Sequence, residues 1–382
     1  MSSKDKLYET WAPMTTPHPG QLLREMLEQR GWTQDELAVI VGSTRQTIQS
    51  IVVGKSNVSA DMAVALAAAF GNLPEEWMRW DSQYRLSVTE RDTSGVTVLA
   101  KCYNVAPIKD MVKRGWIPST DDATEMEESL KKFFASDSLD KVTLHLAPRR
   151  TAIVPELSVS ERAWCFRAKQ LAASQIVEPF SEKAIKSAKA KLRKLAAYSK
   201  EARRVPKILA ECGIRFVIVE PLPGVKIDGA AFWLEDGPVI AMSLRHDRID
   251  GFWFTLMHEI AHIENGDAAI DPDLIEATKG IAVRLVDNAA ERLADQQAAD
   301  SLVSTTELRS FIQRVGPFYP TARIVQFANR MKIHPGIIVG QLHHRQELPY
   351  AQQREFLVKI RDVVSSTALT DGWNQMIAPN LL

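Results

Sequence analysis

Phe252-Trp253-Phe254-Thr255-Leu256-Met257-His258-Glu259-Ile260-Ala261-His262-Ile263 decides how the chain is read. Two histidines stand four residues apart, with a glutamate directly after the first. On an α-helix four residues turn the side chain by about 400°, so both imidazoles face one way, one turn apart. At that spacing two nitrogens can bind one Zn²⁺. Glu259 lies about 100° off that face, too far round to ligate strongly and near enough to hold a water at the metal. The flanking Phe252, Phe254, Leu256, Met257, Ile260, Ala261 and Ile263 are apolar, and no Pro or Gly interrupts 252–265. Burying His258, Glu259 and His262 on such a helix costs free energy unless something pairs with them. The competing reading is a structural helix with two satisfied core histidines.

A catalytic zinc site needs a third protein ligand and keeps its fourth position for water. Glu291 is the best candidate. Residues 291, 294, 295, 298, 299 and 302 make one helical stripe of Ala and Leu that carries Glu291 and Asp295. A carboxylate on a small-residue face is expensive to bury alone, and a metal is a fitting partner. The alanines let this helix come close to the histidine helix. Asp295, one turn on, can accept the spare N–H of a ligand histidine, or else it is a partly exposed helix acid. Glu264 sits six residues from His258 on another face, while Glu276 and Asp287 stay open as alternatives.

The 382 residues predict two or three domains. Apolar content of 45% and charged content of 25% suit a soluble globular protein with a sizeable core. The net charge is zero, so no global field points to nucleic acid or membrane. Cys102, Cys165 and Cys212 form no CxxC, which reads as reduced thiols in the cytoplasm. No secretory leader and no membrane span is visible.

Residues 17–87 read as five short helices. Pro19-Gly20 opens the first, with Leu22, Leu23, Met26 and Leu27 on one face, and Gly31 closes it. Thr33 and Glu36 form a capping box for the second, which runs to Gly42. Arg45 to Val52 make the third, Ser59 to Gly71 the fourth, and Glu75 to Tyr84 the fifth. Two short helices joined by a Gly-containing turn are a helix-turn-helix, whose second member enters the major groove. Thr44, Arg45, Gln46, Thr47 and Gln49 would face base edges and phosphates. On Pro19-Gly20-x-x-Leu23-x-Glu25, Thr33-Gln34-x-x-Leu37-Ala38, Ser43-x-x-x-Ile48 and Leu66-Ala67-x-Ala69-Phe70, the stretch resembles the Xre-like helix-turn-helix family and, within it, HigA-type antitoxins. Against DNA binding, residues 1–90 hold eight Lys/Arg and eleven Asp/Glu, whereas DNA-binding modules usually show a basic footprint. The bland reading is a five-helix protein-interaction module.

The middle, 88–180, reads as a helical connector. Ser87 to Lys101 alternates weakly, Val105 to Arg114 is helical, Asp121 to Phe134 is an acidic helix, and Glu161 to Ala173 is another. Residues 181–215 carry eleven Lys/Arg against Glu182, Glu201 and Glu211, on a long helix from Phe180 towards Val205. That run is either a solvated face or a patch for nucleic acid or an acidic partner.

Arg215 to Glu220, Gly229 to Leu234 and Val239 to Ser243 are strands by their β-branched runs and the turns between them. With the helices after them they predict a small antiparallel sheet in an α+β layout. The region resembles the ImmA/IrrE metallopeptidase family on His258-Glu259-x-x-His262 and Glu291-x-x-Ala294-Asp295-x-x-Ala298, and the tail Ile333 to Leu342 is also similar. The chain departs at Gln297, where the family often has Phe, and at Val303-Ser304, where it often has Met-Pro. The resemblance spans about residues 180–345 and implies a zincin-like domain. It implies zinc on His258, His262 and Glu291, and Glu259 as general base. His334, His343 and His344 read as structural, with one of them available to stabilise an oxyanion.

The expected fold is therefore mainly α with a small α+β domain. A helix-turn-helix module (1–87) is followed by a helical connector (88–180) and a metallopeptidase domain (181–382). The expected function is that of an antitoxin or stress-response regulator. As a dimer it would bind a near-palindromic operator in its own promoter, and it would cleave one cytoplasmic protein partner, a toxin or a regulator. A partner strand would add beside Val239 to Ser243. The alternative is a non-catalytic repressor whose zinc fold is a binding scaffold.

Overall fold

The computed structural model describes residues 17–90, 92–144, 157–266, 269–270 and 288–374, and the chain divides into two compact units, Met1–Thr93 and Ser94–Leu382. Among the described residues no helix is long and apolar enough to cross a membrane.

Among its described residues the N-terminal unit has five helices: α1 (Pro19–Arg30), α2 (Gln34–Ile40), α3 (Arg45–Val52), α4 (Ala60–Phe70) and α5 (Pro74–Val88). Each boundary has a local cause. The His18 ring nitrogen accepts from the Gly20 N–H at 2.8 Å, and Gly31 ends α1 at φ 68°. Thr33 and Glu36 form the expected capping box, and Thr44 and Ser59 cap α3 and α4. Leu23, Leu37, Ile48, Ile51, Leu66 and Trp77 make the core. Gly20 is required by packing: a Cβ there would lie 2.1 Å from the Ile51 carbonyl oxygen, so α1 and α3 meet backbone to backbone. Buried Asp81 on α5 accepts the Val58 N–H at 3.2 Å and pins the loop before α4.

The second unit begins with α6 (Ser94–Val105), α7 (Ile108–Lys113), α8 (Ala123–Phe134), α9 (Leu139–Leu144) and α10 (Val159–Ala173). Next come α11 (Glu182–Leu195), a 3₁₀ turn (Ser199–Arg204), α12 (Val205–Ala210), β1 (Arg215–Val219), β2 (Gly229–Leu234) and β3 (Gly237–Met242). Then follow α13 (Ile249–Asn265), β4 (Ala269–Ile270), α14 (Asn288–Leu302), α15 (Thr305–Val315), α16 (Thr321–Met331), α17 (Pro335–His344), α18 (Arg361–Ser365) and β5 (Leu369–Asp371).

The sheet is mixed, not the antiparallel one expected. Its order is β4-β2-β3-β1-β5, with β1 parallel to β3 and β5, β2 parallel to β4, and only β2–β3 antiparallel. The cause is burial on both faces, which makes β1 and β3 continuous apolar runs as in parallel sheets. Phe216, Ile218, Ile240 and Met242 join the core with α11–α13, while Val217, Val219, Val239 and Ala241 join the core with α6–α10.

Contrary to expectation, no partner strand can add at Val239 to Ser243, because β3 lies between β2 and β1. Nor is the middle of the chain a separate connector: from Ser94 onward, α6–α10 are a layer of the second unit, covering one sheet face. The boundary falls at Thr93 rather than 87 because α5 runs on to Val88. The expected helix from Val105 to Arg114 breaks at Pro107, which cannot donate to the helix ladder.

Polar ties lock this layer to the sheet. The Trp164 indole donates to the Val219 carbonyl at 2.8 Å, and the Trp116 indole donates to Asp371 at 2.9 Å. Arg167 pairs with the same Asp371, and Arg114 holds the Glu220 carboxylate and carbonyl, each at 2.7 Å. Arg167 and Asp371 are both buried. Asp371→Ala strands the Arg167 charge and the Trp116 N–H, and breaking such a buried pair costs about 3 kcal/mol or more. Chemical denaturation should show that loss in the second unit, with the N-terminal transition unmoved. A loss below about 1 kcal/mol, the level of an exposed pair, would mean the cluster does not hold the layer.

Candidate functional site

Helix α13 buries Ile249, Phe252, Trp253, Leu256, Met257, Ile260, Ala261 and Ile263, and ends at Gly266 with φ 70°. With that face fixed, His258, Glu259 and His262 fall where the helical period puts them. His262 is fully buried and Glu259 is 2% exposed. Helix α14 lies against α13 through Ala294, Ala298 and Leu302, all buried. The short side chains let it approach closely enough for Glu291 to reach both imidazoles. The two Nε2 atoms are 3.0 Å apart, and Glu291 oxygens lie 3.3 Å from His258 Nε2 and 3.5 Å from His262 Nε2.

Arms of about 2.0–2.1 Å from a tetrahedral zinc leave ligand atoms about 3.3 Å from one another. The three separations bracket that value, so the donor set fits the ion. On the other side of the ring, His258 Nδ1 has Asp295 Oδ1 at 2.9 Å, close but not aligned with a ring N–H. Burial, the largest single influence, works to lower the His258 pKa. The carboxylates of Asp295, Glu291 and Glu259 together outweigh it and push the value up to about 9. The site thus holds more negative charge than its imidazoles neutralise, an arrangement suited to a cation.

Residues outside the cluster have other partners. Glu264 pairs with Lys189 at 2.5 Å, away from the site. His334 caps α17, accepting from the Gly336 N–H at 3.1 Å, and His343 meets the Gln352 carbonyl at 3.0 Å, so both are structural. His344 is exposed and lines a cleft. Glu276 and Asp287 lie outside the described residues. Gln297 donates to Asn265 at 3.2 Å, joining α14 to the end of α13.

Two adjoining clefts open at the cluster and share Asp228, Phe254 and Asp295. One, about 500 Å³, is lined by His258, Glu259 and Glu291 beside the chain from Lys226 to Ala230. The other, about 890 Å³, runs along α14 and α17. The edge at the first cleft is β2, which β4 covers only at Phe232 and Trp233. Asp228 is held by Arg245 through two bonds of 2.5 and 2.9 Å. Gly229 escaped the sequence reading. A Cβ there would sit 2.6 Å from Thr255 Cγ2 and 2.9 Å from Glu259 Oε1. A glycine opening an apolar strand was the signal for such a close approach.

In the N-terminal unit, Thr44, Arg45, Gln46, Thr47 and Gln49 are all exposed along one side of α3, while Ile48, Ile51 and Val52 face the core. Thr44 also caps the helix and bonds the Thr47 hydroxyl at 2.9 Å. Arg45 lies 3.5 Å from Asp35 on α2, an exposed pair that a stronger anion could displace.

Residues 23–78 match the helix-turn-helix family model HTH_3. Over 85 residues, 22% of this chain and 74% of the relative, the sequence is 39% identical to Virulence-associated protein A' of Dichelobacter nodosus. Over 74 residues, 17% of this chain and 70% of the relative, it is 36% identical to antitoxin HigA-1 of Vibrio cholerae. A solved structure, Pseudomonas aeruginosa antitoxin HigA with higBA promoter, is 33% identical over 19% of this chain and 79% of its own, with a TM-score of 0.19.

The contact at Gly229 gives a test of how Glu259 is held. Gly229→Ala should cost about 1–3 kcal/mol of stability in the second unit, as overpacking does. Thr255→Ser removes the methyl in the way and should restore part of that loss, a coupling readable in a double-mutant cycle. Strictly additive effects would show that the two residues do not press on one another.

Proposed function

The chain belongs to the helix-turn-helix family through its N-terminal unit, and we propose that it is an antitoxin-type DNA-binding regulator that also carries a zinc-dependent endopeptidase directed at one protein partner. Kinship with antitoxin HigA-1 supports the antitoxin setting. The exposed polar row on α3 supports operator binding, with Arg45, Gln46 and Gln49 positioned for base or phosphate contact. A dimer would read two half-sites about one helical turn apart in its own promoter.

The observation that carries the peptidase reading is the convergence of His258, His262 and Glu291 beside Glu259 in an open cleft. Those three residues would hold zinc, which would supply Lewis-acid polarisation of a scissile carbonyl. Glu259 takes the proton of the attacking water and passes it to the leaving amine. Asp295 steadies the His258 ring. The chain from Lys226 to Ala230, which leads into β2 and flanks the cleft, offers the backbone along which an extended peptide would lie. Surfaces remote from the scissile bond select the partner, a cytoplasmic toxin or regulator, so little affinity for short peptides is needed.

Glu259→Gln should keep the metal and lower cleavage of the partner at least about 10²-fold, while trapping that partner on co-purification from native cells. Undiminished proteolysis by this variant would overturn the catalytic assignment. Rapid zinc-dependent digestion of unrelated unfolded proteins would overturn the single-partner reading. For the other half of the reading, changing Arg45, Gln46 and Gln49 together to Ala should abolish the footprint on the chain's own promoter. A normal footprint from that triple variant would remove α3 from the interface.

A further inference from the structure

The chain's net charge is zero, yet residues 181–215 hold eleven Lys/Arg against three Asp/Glu, an excess of eight. The N-terminal 90 residues, which include the helix-turn-helix, run the other way, with eight against eleven. Counterion release from phosphates supplies most of the non-specific affinity of DNA-binding proteins, and the N-terminal unit has few cations with which to obtain it. We propose that the face formed by α11 and the 3₁₀ turn and helix after it is a second, sequence-independent DNA contact that binds phosphates flanking the operator. The proposal rests on the DNA-binding reading above.

Helix geometry places the charges. Ile185, Ala188, Leu192 and Leu195 bury one side of α11, so Lys183, Lys186 and Lys194 stand opposite, and all three are exposed. Beyond them Lys200, Arg203, Arg204 and Lys207 are also exposed. Most local carboxylates are already engaged: Glu264 by Lys189 at 2.5 Å, Glu211 by Lys191 at 3.6 Å, and Glu201 by Arg203 at 3.4 Å and Arg204 at 3.2 Å. Among the described residues, Lys183, Lys186, Lys194, Lys200 and Lys207 have no carboxylate within ion-pair range.

An ordinary solvated helix face alternates acids and bases in stabilising i,i+4 pairs. This face instead places Lys183 and Lys186 one turn apart with no acid between them, like charges whose repulsion weakens a helix until an external anion relieves it. Lys183 to Lys194 span about 16 Å of helix axis, the rise of about five base pairs of duplex. Tyr198, 70% exposed between Lys194 and Lys200, adds a phenolic hydroxyl able to donate to a phosphate. An acidic protein is the rival occupant. Duplex DNA is favoured because the same chain carries a helix-turn-helix, and covalent linkage raises the effective concentration of DNA at any second site.

The test uses the full-length chain and a long duplex containing its promoter, with affinity measured across a salt series. The variant Lys183→Gln, Lys186→Gln, Lys194→Gln removes three solvent-facing charges and leaves the buried side of α11 intact. It should bind the long duplex at least 10-fold more weakly at low salt. The slope of log K against log salt should fall by about 2–3, at about 0.9 per lost phosphate contact. The triple Ala variant of α3 should do the opposite, losing sequence preference while keeping most of the salt-dependent binding. If the Gln variant binds DNA with unchanged slope and affinity, the inference is overturned, and a simultaneous loss of an acidic protein partner would identify the face as a protein surface. If the unmodified chain binds no DNA at any salt concentration, the DNA-binding reading falls and this inference with it.

Discussion

The second unit is organised by one constraint: buried His262 and Glu259, with His258 beside them, must be matched by the carboxylates of Glu291 and Asp295 at the mouth of a cleft. Leaving such groups unpaired in an apolar interior costs several kcal/mol each. Everything next to the cluster lowers that cost. The alanine face of α14 brings Glu291 to within 3.5 Å of both rings. Asp295 meets the far nitrogen of His258. Gly229 leaves the space that Glu259 fills. Because α13 is buried along most of its length, the cluster cannot relieve itself by turning outward.

The sheet serves this arrangement by being covered on both sides. α13 packs on one face, and α6–α10 close the other through Trp164, Trp116 and the Arg167–Asp371 pair. The residues between the two recognisable motifs are therefore the support beneath the strand that flanks the cleft. Without that layer Val217, Val219, Ala230 and Phe232 would face water, and the position of Gly229 against Glu259 would no longer be held.

Local chemistry made part of this legible in the sequence. The capping box at Thr33 and Glu36, the helix starts at Arg45 and Ser59, and the stop at Gly71 each depend on residues within one turn, and each was readable. The spacing of His258 and His262 and the stripe carrying Glu291 follow from helical period alone, so the meeting of these residues was readable too. Strand pairing was not. β1 pairs with β5 about 150 residues away, and the unbroken apolar runs of β1 and β3 mark parallel pairing, against the antiparallel sheet expected. The role of the middle segment was hidden for the same reason: the partners of Arg114 and Arg167 are Glu220 and Asp371, far along the chain. Gly229 was missed because a missing side chain has meaning only once its neighbour is known.

We propose that His258, His262 and Glu291 are the ligands of one zinc ion. X-ray absorption at the zinc edge, with metal analysis, tests it most directly. One zinc per chain should appear with only nitrogen and oxygen neighbours at about 2.0–2.1 Å, with a large loss of affinity in Glu291→Ala. Sulfur in the coordination shell, or full zinc occupancy with unchanged affinity in Glu291→Ala, would contradict it.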